Sequence, residues 1–263
     1  MPTYSEIRLD VADGLATLTL DRPEERNAMT PAMGEEVRDA CRELAAMPEL
    51  RAVIVTGAGS AFAAGGKFDF IEEVTNLPPE ERRLRMKWFY RLFLAIAEVP
   101  VPTIAAINGH AIGAGLCFPL ACDLRIAAEG AKLGLNFVTL GLHPGMGGSF
   151  LLPRLVGVAR AADLILTGRL IDAREAREMG IVNEVVAAEA LLPRARELAA
   201  AIARNAPIAV RQAKESLYAN LGATLDEALD REAFSQSIDY GTADFREGIT
   251  AAREKRKPRF RGE

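Results

Sequence analysis

The sequence predicts an α/β fold: an imperfect strand–strand–helix repeat that gives way to an all-helical C-terminal part. Three observations carry this. Apolar runs of strand length recur at 51–57, 103–107 and 124–127. The first two each lead into a glycine-bearing segment, 62–69 and 108–115, and the second of these opens an apolar stretch of helical character. From Ala188 onward only helical periodicity remains. Strand-rich first and helical last predicts a core over 1–187 and a helical subdomain over 188–263.

The elements follow in order. Ile7, Leu9 and Val11 alternate, and after Asp13-Gly14 the run Leu15–Leu20 resumes the pattern, which is a β-hairpin signature. Thr30-Pro31 opens a helix, threonine as N-cap and proline at the first helical position. Val37, Ala40, Cys41, Leu44 and Met47 fall at helical spacing along it. Residues 69–98 form a charged amphipathic region broken by Pro78-Pro79. A helix is expected from the second glycine segment to about Ala121, and another after the sharp loop Pro144-Gly145-Met146-Gly147-Gly148. Helices over 191–203, 207–221, 225–237 and 241–256 complete the chain.

Composition narrows the class. Of 263 residues, 49% are hydrophobic and 26% charged, ordinary for a globular protein. A net charge of −4 offers no general attraction to nucleic acid or to a membrane, so an anionic ligand would need a local basic site. No apolar run is long enough to span a bilayer, and Glu6, Asp10 and Asp13 interrupt any leader-like pattern. Cys41, Cys117 and Cys122 cannot all pair and lack zinc spacing, which fits a reducing, cytoplasmic location. Val55-Thr56-Gly57-Ala58-Gly59 after a buried strand suggests a dinucleotide turn, but Phe62 stands where that fingerprint needs its third glycine.

The two glycine segments point to chemistry instead. Phe62-Ala63-Ala64-Gly65-Gly66-Lys67-Phe68-Asp69 and Asn108-Gly109-His110-Ala111-Ile112-Gly113-Ala114-Gly115 leave backbone N–H groups unpaired at their turns. Two such groups facing one another can hold an oxygen that gains negative charge, polarising a carbonyl.

At these segments the sequence resembles the crotonase, or enoyl-CoA hydratase/isomerase, family over almost the whole chain. The supporting motifs stand in order: Leu20-Asp21-Arg22-Pro23 with Asn27-Ala28-Met29, the two glycine segments, Ala121 to Ala127, Gly141 to Gly148, Leu166-Thr167-Gly168, Ala176 to Val182, and the tail Glu247-Gly248 to Phe260. The resemblance implies a spiral of ββα repeats, a helical C-terminal trimerisation region giving a homotrimer or hexamer, and an acyl-CoA thioester as substrate. It implies an oxyanion hole made by the backbone N–H groups of Gly66 and Ala114. It implies no cofactor, CoA being part of the substrate, and no metal.

The chain departs from the family pattern where proton transfer is done. The two glutamates of the family's hydratases fall on Cys117 and Phe137, so neither position is a competent carboxylate. His143 is a candidate base or a loop histidine bonded to backbone; Cys117 is a candidate nucleophile or a buried helix cysteine. His110 is read as supporting its loop, and Asp69, Glu72 and Glu73 as a solvated helix start. At the CoA end the resemblance implies Arg26 near the pyrophosphate, Ala64 and Phe68 framing the adenine with Lys67 nearby, and Lys255 in a basic C-terminal helix approaching the phosphates. The activities left open are a hydratase or isomerase, a divergent decarboxylase or hydrolase, and a catalytically weak acyl-CoA-binding homologue.

Overall fold

The structure, a computed structural model, describes residues 4–263. Strands β1 (Ile7–Ala12) and β2 (Leu15–Leu20) pair antiparallel, Ile7 opposite Leu20 and Ala12 opposite Leu15. Asp13 and Gly14 both take positive φ, 52° and 75°, the type I′ turn that matches strand twist. Helix α1 (Pro31–Ala45) starts as the sequence predicts, Thr30 Oγ1 accepting from the Met33 N–H at 3.0 Å. It lays Met33, Val37, Ala40, Cys41 and Leu44 into the core.

The repeat follows: β3 (Ala52–Gly57) with β4 (Ala61–Ala63), β5 (Thr103–Ile107) with β6 (His110–Ile112), β7 (Leu124–Ala128) with β8 (Lys132–Gly134). The first strands of the pairs run parallel to one another in one sheet and the second strands run parallel in another. The larger sheet has the order β1-β2-β3-β5-β7-β10, closed by β10 (Glu184–Val186). The smaller runs β4-β6-β8-β9, with β9 (Ile171–Asp172) antiparallel at its edge. This two-sheet advance is the predicted ββα spiral. The short members of the smaller sheet are not visible as periodicity, because two or three residues cannot establish alternation.

Helices α2 (Phe68–Thr75) and α3 (Pro79–Leu94) fill the charged region, and α4 (Ala114–Leu120) follows β6. An aromatic chain joins these layers. Phe62 of β4 lies 6.1 Å from Phe118 of α4, Phe118 lies 5.8 Å from Phe93 of α3, and Phe89 lies 4.7 Å from Phe70 of α2. Helices α5 (Gly148–Val156), α6 (Val158–Thr167) and α7 (Ala173–Met179) lead to β10. The buried Arg125 guanidinium fastens this stretch, Nε donating to the Ile181 carbonyl at 2.7 Å and an NH to Cys122 at 2.6 Å.

Helix α8 (Leu191–Ala203) packs Leu191, Ala195 and Ala199 on Ile54, Ile104 and Ile126, covering the far face of the large sheet. Helix α9 (Pro207–Ala219) is pinned to the sheet ends. Lys214 Nζ reaches the Val101 carbonyl at 2.9 Å and Asp123 at 2.8 Å, and Tyr218 donates to Asp123 at 2.6 Å. Helices α10 (Leu225–Asp239) and α11 (Ala243–Glu254) follow. The last helix is shorter than its sequence reading of 241–256. Lys255 turns left-handed at φ 55°, and Glu247 captures Arg256 at 2.6 Å and the Arg259 N–H at 2.8 Å, folding the tail back. Among the described residues no helix is long and apolar enough to cross a membrane.

Candidate active site

The first glycine segment runs from β4 into α2 and the second from β5 through β6 into α4, each at or just past a bend between a strand of the large sheet and one of the small sheet. Asn108 ties the two bends together: its Oδ1 accepts from Gly57 N–H at 3.1 Å and its Nδ2 donates to the Gly59 carbonyl at 3.0 Å. Fully buried Asn27 does the same from the N-terminal side, donating to the Ala58 and Ala61 carbonyls at 2.9 and 2.8 Å. Residues 26–29 then strap the first glycine segment like a short parallel strand. Ala64 N–H donates to Arg26 O at 3.0 Å, Met29 N–H to Gly65 O at 2.7 Å, and Lys67 N–H to Met29 O at 3.0 Å.

The strapping engages the Ala64 and Lys67 N–H groups and the Gly65 carbonyl, and leaves the Gly66 N–H without a protein partner. Ala114, first residue of α4, is in the same condition, since the first N–H groups of a helix have no partner within it and no side chain caps this one. The two segments touch. Gly65 has φ +98°, and a Cβ built there would sit 3.0 Å from Ile112 O and 3.9 Å from Ala114 N. Only glycine allows that approach. Two N–H groups without protein partners thus lie on adjoining loops, a geometry able to receive an oxygen that gains negative charge.

The walls beside the donors are apolar. Phe137 presents its ring edge to Gly113, Cζ 3.9 Å from a Cβ built there, with Asn136 Oδ1 at 3.3 Å. Cys117 lies one turn along α4 from Ala114, fully buried, its thiol donating to the Gly145 carbonyl at 3.4 Å. Burial pushes that thiol up to about 12, so it is a buried helix cysteine in the neutral state. Burial pushes Cys41 and Cys122 up to about 12 as well. A raised value favours the thiol over the thiolate, so the native protein at pH 8 is expected to resist an aromatic disulfide reagent. Unfolding in urea should release all three thiols. Rapid reaction of one native thiol would disprove this burial.

The remaining predicted residues are distributed as follows. His143 is exposed in the loop before α5, Nδ1 2.8 Å from the Pro144 carbonyl, which can only accept, so Nδ1 carries the proton. His110 Nδ1 accepts from the Lys132 N–H at 3.2 Å and braces β6 against β8. Arg26, Ala64 and Phe68 are exposed around the first glycine segment. Lys67 is drawn to Glu25 at 3.1 Å and Asp69 at 3.7 Å, and its hydrogen bond holds the Glu25 carboxyl below its ordinary range. Asp69, Glu72 and Glu73 point to solvent at the start of α2. Lys255 is the exposed cap of α11, and the structure gives it no contact with the donors.

Sequence reasoning missed Tyr90. It lies on α3, and a Cβ built on Gly145 would fall 2.6 Å from its hydroxyl oxygen, so the phenol stands against the loop that also receives the Cys117 thiol. The available signal was the aromatic trio Trp88-Phe89-Tyr90 within an otherwise charged helix.

Comparison with known proteins bears on the family and the fold. The family profile described as Enoyl-CoA hydratase/isomerase matches residues 10–263. The chain is 40% identical to an enoyl-CoA hydratase from Bacillus anthracis of known structure, with a TM-score of 0.92 over 98% of this chain and 100% of that one. It is 36% identical to the crotonyl-CoA hydratase of Syntrophomonas wolfei, over 98% of each. It is also 38% identical to the mitochondrial enoyl-CoA hydratase domain-containing protein 2 of Bos taurus, over 95% of this chain and 85% of the relative. With the profile spanning nearly its full length and its two-sheet spiral superposing on a solved hydratase, the chain belongs to the enoyl-CoA hydratase/isomerase, or crotonase, family of enzymes.

Proposed function

We propose that the protein converts an acyl-CoA thioester in a hydratase- or isomerase-type reaction that passes through an enolate held by the Gly66 and Ala114 N–H groups. One observation carries this reading: two uncommitted backbone donors lie on touching, rigidly strapped loops. Loss of a proton next to the thioester carbonyl, or addition at the β-carbon, moves charge onto the carbonyl oxygen. Fixed donors meet that charge in the transition state rather than in the ground state. Arg26, Ala64, Lys67 and Phe68 surround the first donor and would receive the CoA portion, with Lys255 as a more distant cation. CoA enters as part of the substrate, and no separate cofactor is assigned. The free thiols support a cytoplasmic location.

A second reading is favoured by the lack of a carboxylate at positions 117 and 137: a divergent acyl-CoA decarboxylase or hydrolase, or an acyl-CoA-binding homologue of weak turnover. Incubation with crotonyl-CoA in heavy water, followed by mass spectrometry, separates them. The first reading expects a gain of water, or a shifted double bond, with deuterium at the α-carbon. An unchanged thioester that still binds would sink it and favour the second.

We also propose assembly into a homotrimer or a hexamer through the C-terminal helices. Helix α10 buries none of its residues, and Leu217, Leu221, Leu225 and Phe234 are exposed by 71%, 66%, 74% and 68%. Apolar surface of that extent is stabilised by covering it. Mass photometry should find at least three times the mass of one chain; a single-chain species alone would reject the assembly.

A further inference from the structure

Helices α1 and α3 touch at Gly34, where a Cβ would fall 2.8 Å from Leu92 Cδ1, and beside that contact a groove of about 600 Å³ opens to solvent. Its floor is apolar: Cys41 and Leu92 are buried, with Trp88 half-buried next to them. Its rim is cationic. Arg38 and Arg42 line it from α1 and Lys87 and Arg91 from α3, with Glu98 the single carboxylate among the described lining residues. The protein carries a net charge of −4, so the groove is a local reversal of sign.

The partners of these cations are telling. Helix α3 carries five basic residues, and the three outside the groove are all engaged. Arg82 Nε donates to the Leu77 carbonyl at 2.6 Å, Arg83 Nε to Glu80 at 2.8 Å, and the Arg85 guanidinium lies 4.3 Å over the Trp88 ring. The exposed side chains of Lys87 and Arg91 have no hydrogen bond or ion pair among the described residues. On α1, Arg38 and Arg42 share one carboxylate, Asp39, at 3.3 and 3.5 Å, which leaves most of their N–H groups available. Each pair also stands four residues apart on its helix, where like charges repel. Asp39 relieves part of the first repulsion; an anion in the groove would relieve both.

We propose that this groove is a second ligand site, separate from the Gly66 and Ala114 donors, and that it binds a nucleoside diphosphate. Its phosphates would meet the four cations, and its base would lie on Trp88 and the apolar floor. Guanidinium groups take phosphate oxygens two at a time, and an ammonium adds a point charge. The indole gives a planar base a contact that inorganic phosphate cannot use. The volume is that of a small-molecule site. A nucleic-acid strand would need several stacking rings along a charged track, and one aromatic residue lines this groove. No lining residue belongs to the two glycine segments, to residues 26–29 or to the loop before α5.

Trp88 is the chain's only tryptophan, so its emission reads the groove directly. The test titrates the full chain with ADP, pyrophosphate, adenosine and a short single-stranded oligonucleotide. The expected result is a saturable change in emission with ADP, weaker binding of pyrophosphate and adenosine, and loss of affinity as salt rises. Lys87→Gln/Arg91→Gln should raise the ADP dissociation constant about ten- to a hundredfold, the worth of hydrogen bonds to a charged acceptor. Its melting temperature should hold or rise, because the change removes a like-charge pair. A lower melting temperature would show that the two cations support the fold, and overturns the proposal. No response to ADP into the millimolar range, or equal ADP affinity in the two proteins, overturns it as well. ADP affinity lost in Arg26→Gln but kept in the double variant places the nucleotide at the thioester site instead. A response to the oligonucleotide without one to ADP rejects the small ligand in favour of nucleic acid.

Discussion

Replacing Ala114 with proline is expected to cut acyl-CoA turnover by about a hundred- to a thousandfold while leaving the fold in place. Ala114 is the first residue of its helix, where proline's fixed φ is pre-organised and the missing N–H breaks no helical bond. The preceding residue is Gly113, which has no Cβ to clash with the ring. The substitution therefore removes one donor and little else. A single oxyanion donor is worth about 2.7–4 kcal/mol in the transition state. Steady-state kinetics with a thioester found to be turned over, alongside calorimetric binding of the same ligand, measures this. An unchanged kcat would remove the Ala114 N–H from the reaction.

Gly115→Ala is expected to have the largest effect on the fold. A Cβ there would sit 2.1 Å from the Ala63 carbonyl oxygen and 2.7 Å from its carbon, which are backbone atoms of β4. Backbone cannot swing aside as a flexible side chain does, so α4 must back away from the sheet. Overpacking of this kind costs about 3 kcal/mol or more, a fall in Tm of roughly 6–12 °C for a chain of this size. Because Ala114 rides on the same turn, its N–H retreats from the Gly66 segment, and turnover should fall even where the protein stays folded. An unaltered melting curve would contradict the close approach of α4 to β4.

Much of this was legible in the residues. The hairpin, the Thr30 cap, the long strands of the large sheet and helix 191–203 follow from period, turn chemistry and capping, all local physics. The smaller sheet was not legible, because β4, β6 and β8 are three residues each and owe their existence to neighbours. The end of α11 was misread because a contact twelve residues away, Glu247 to the Arg259 N–H, decides where the chain turns. The two glycine segments stood out because glycine spacing betrays backbone that must come close, while the choice of Gly66 and Ala114 within them came from the family resemblance. Tyr90 did not stand out, because nothing in a charged helix announces which of its rings will meet a loop from 55 residues further along. The basic tail, read as a cationic helix, spends Arg256 on Glu247 and Glu254.

The straps around Gly66 have an evolutionary corollary. The two glycine segments are held by strand bends, by buried Asn27 and by half-buried Asn108, whereas α2, α3 and the loop before α5, proposed to face an acyl chain, lie outside those straps. On the proposed reading, polarising power and substrate preference reside on physically separate segments. A library confined to the helices of 68–94 would explore new thioesters on a scaffold whose electrostatic core stays constant.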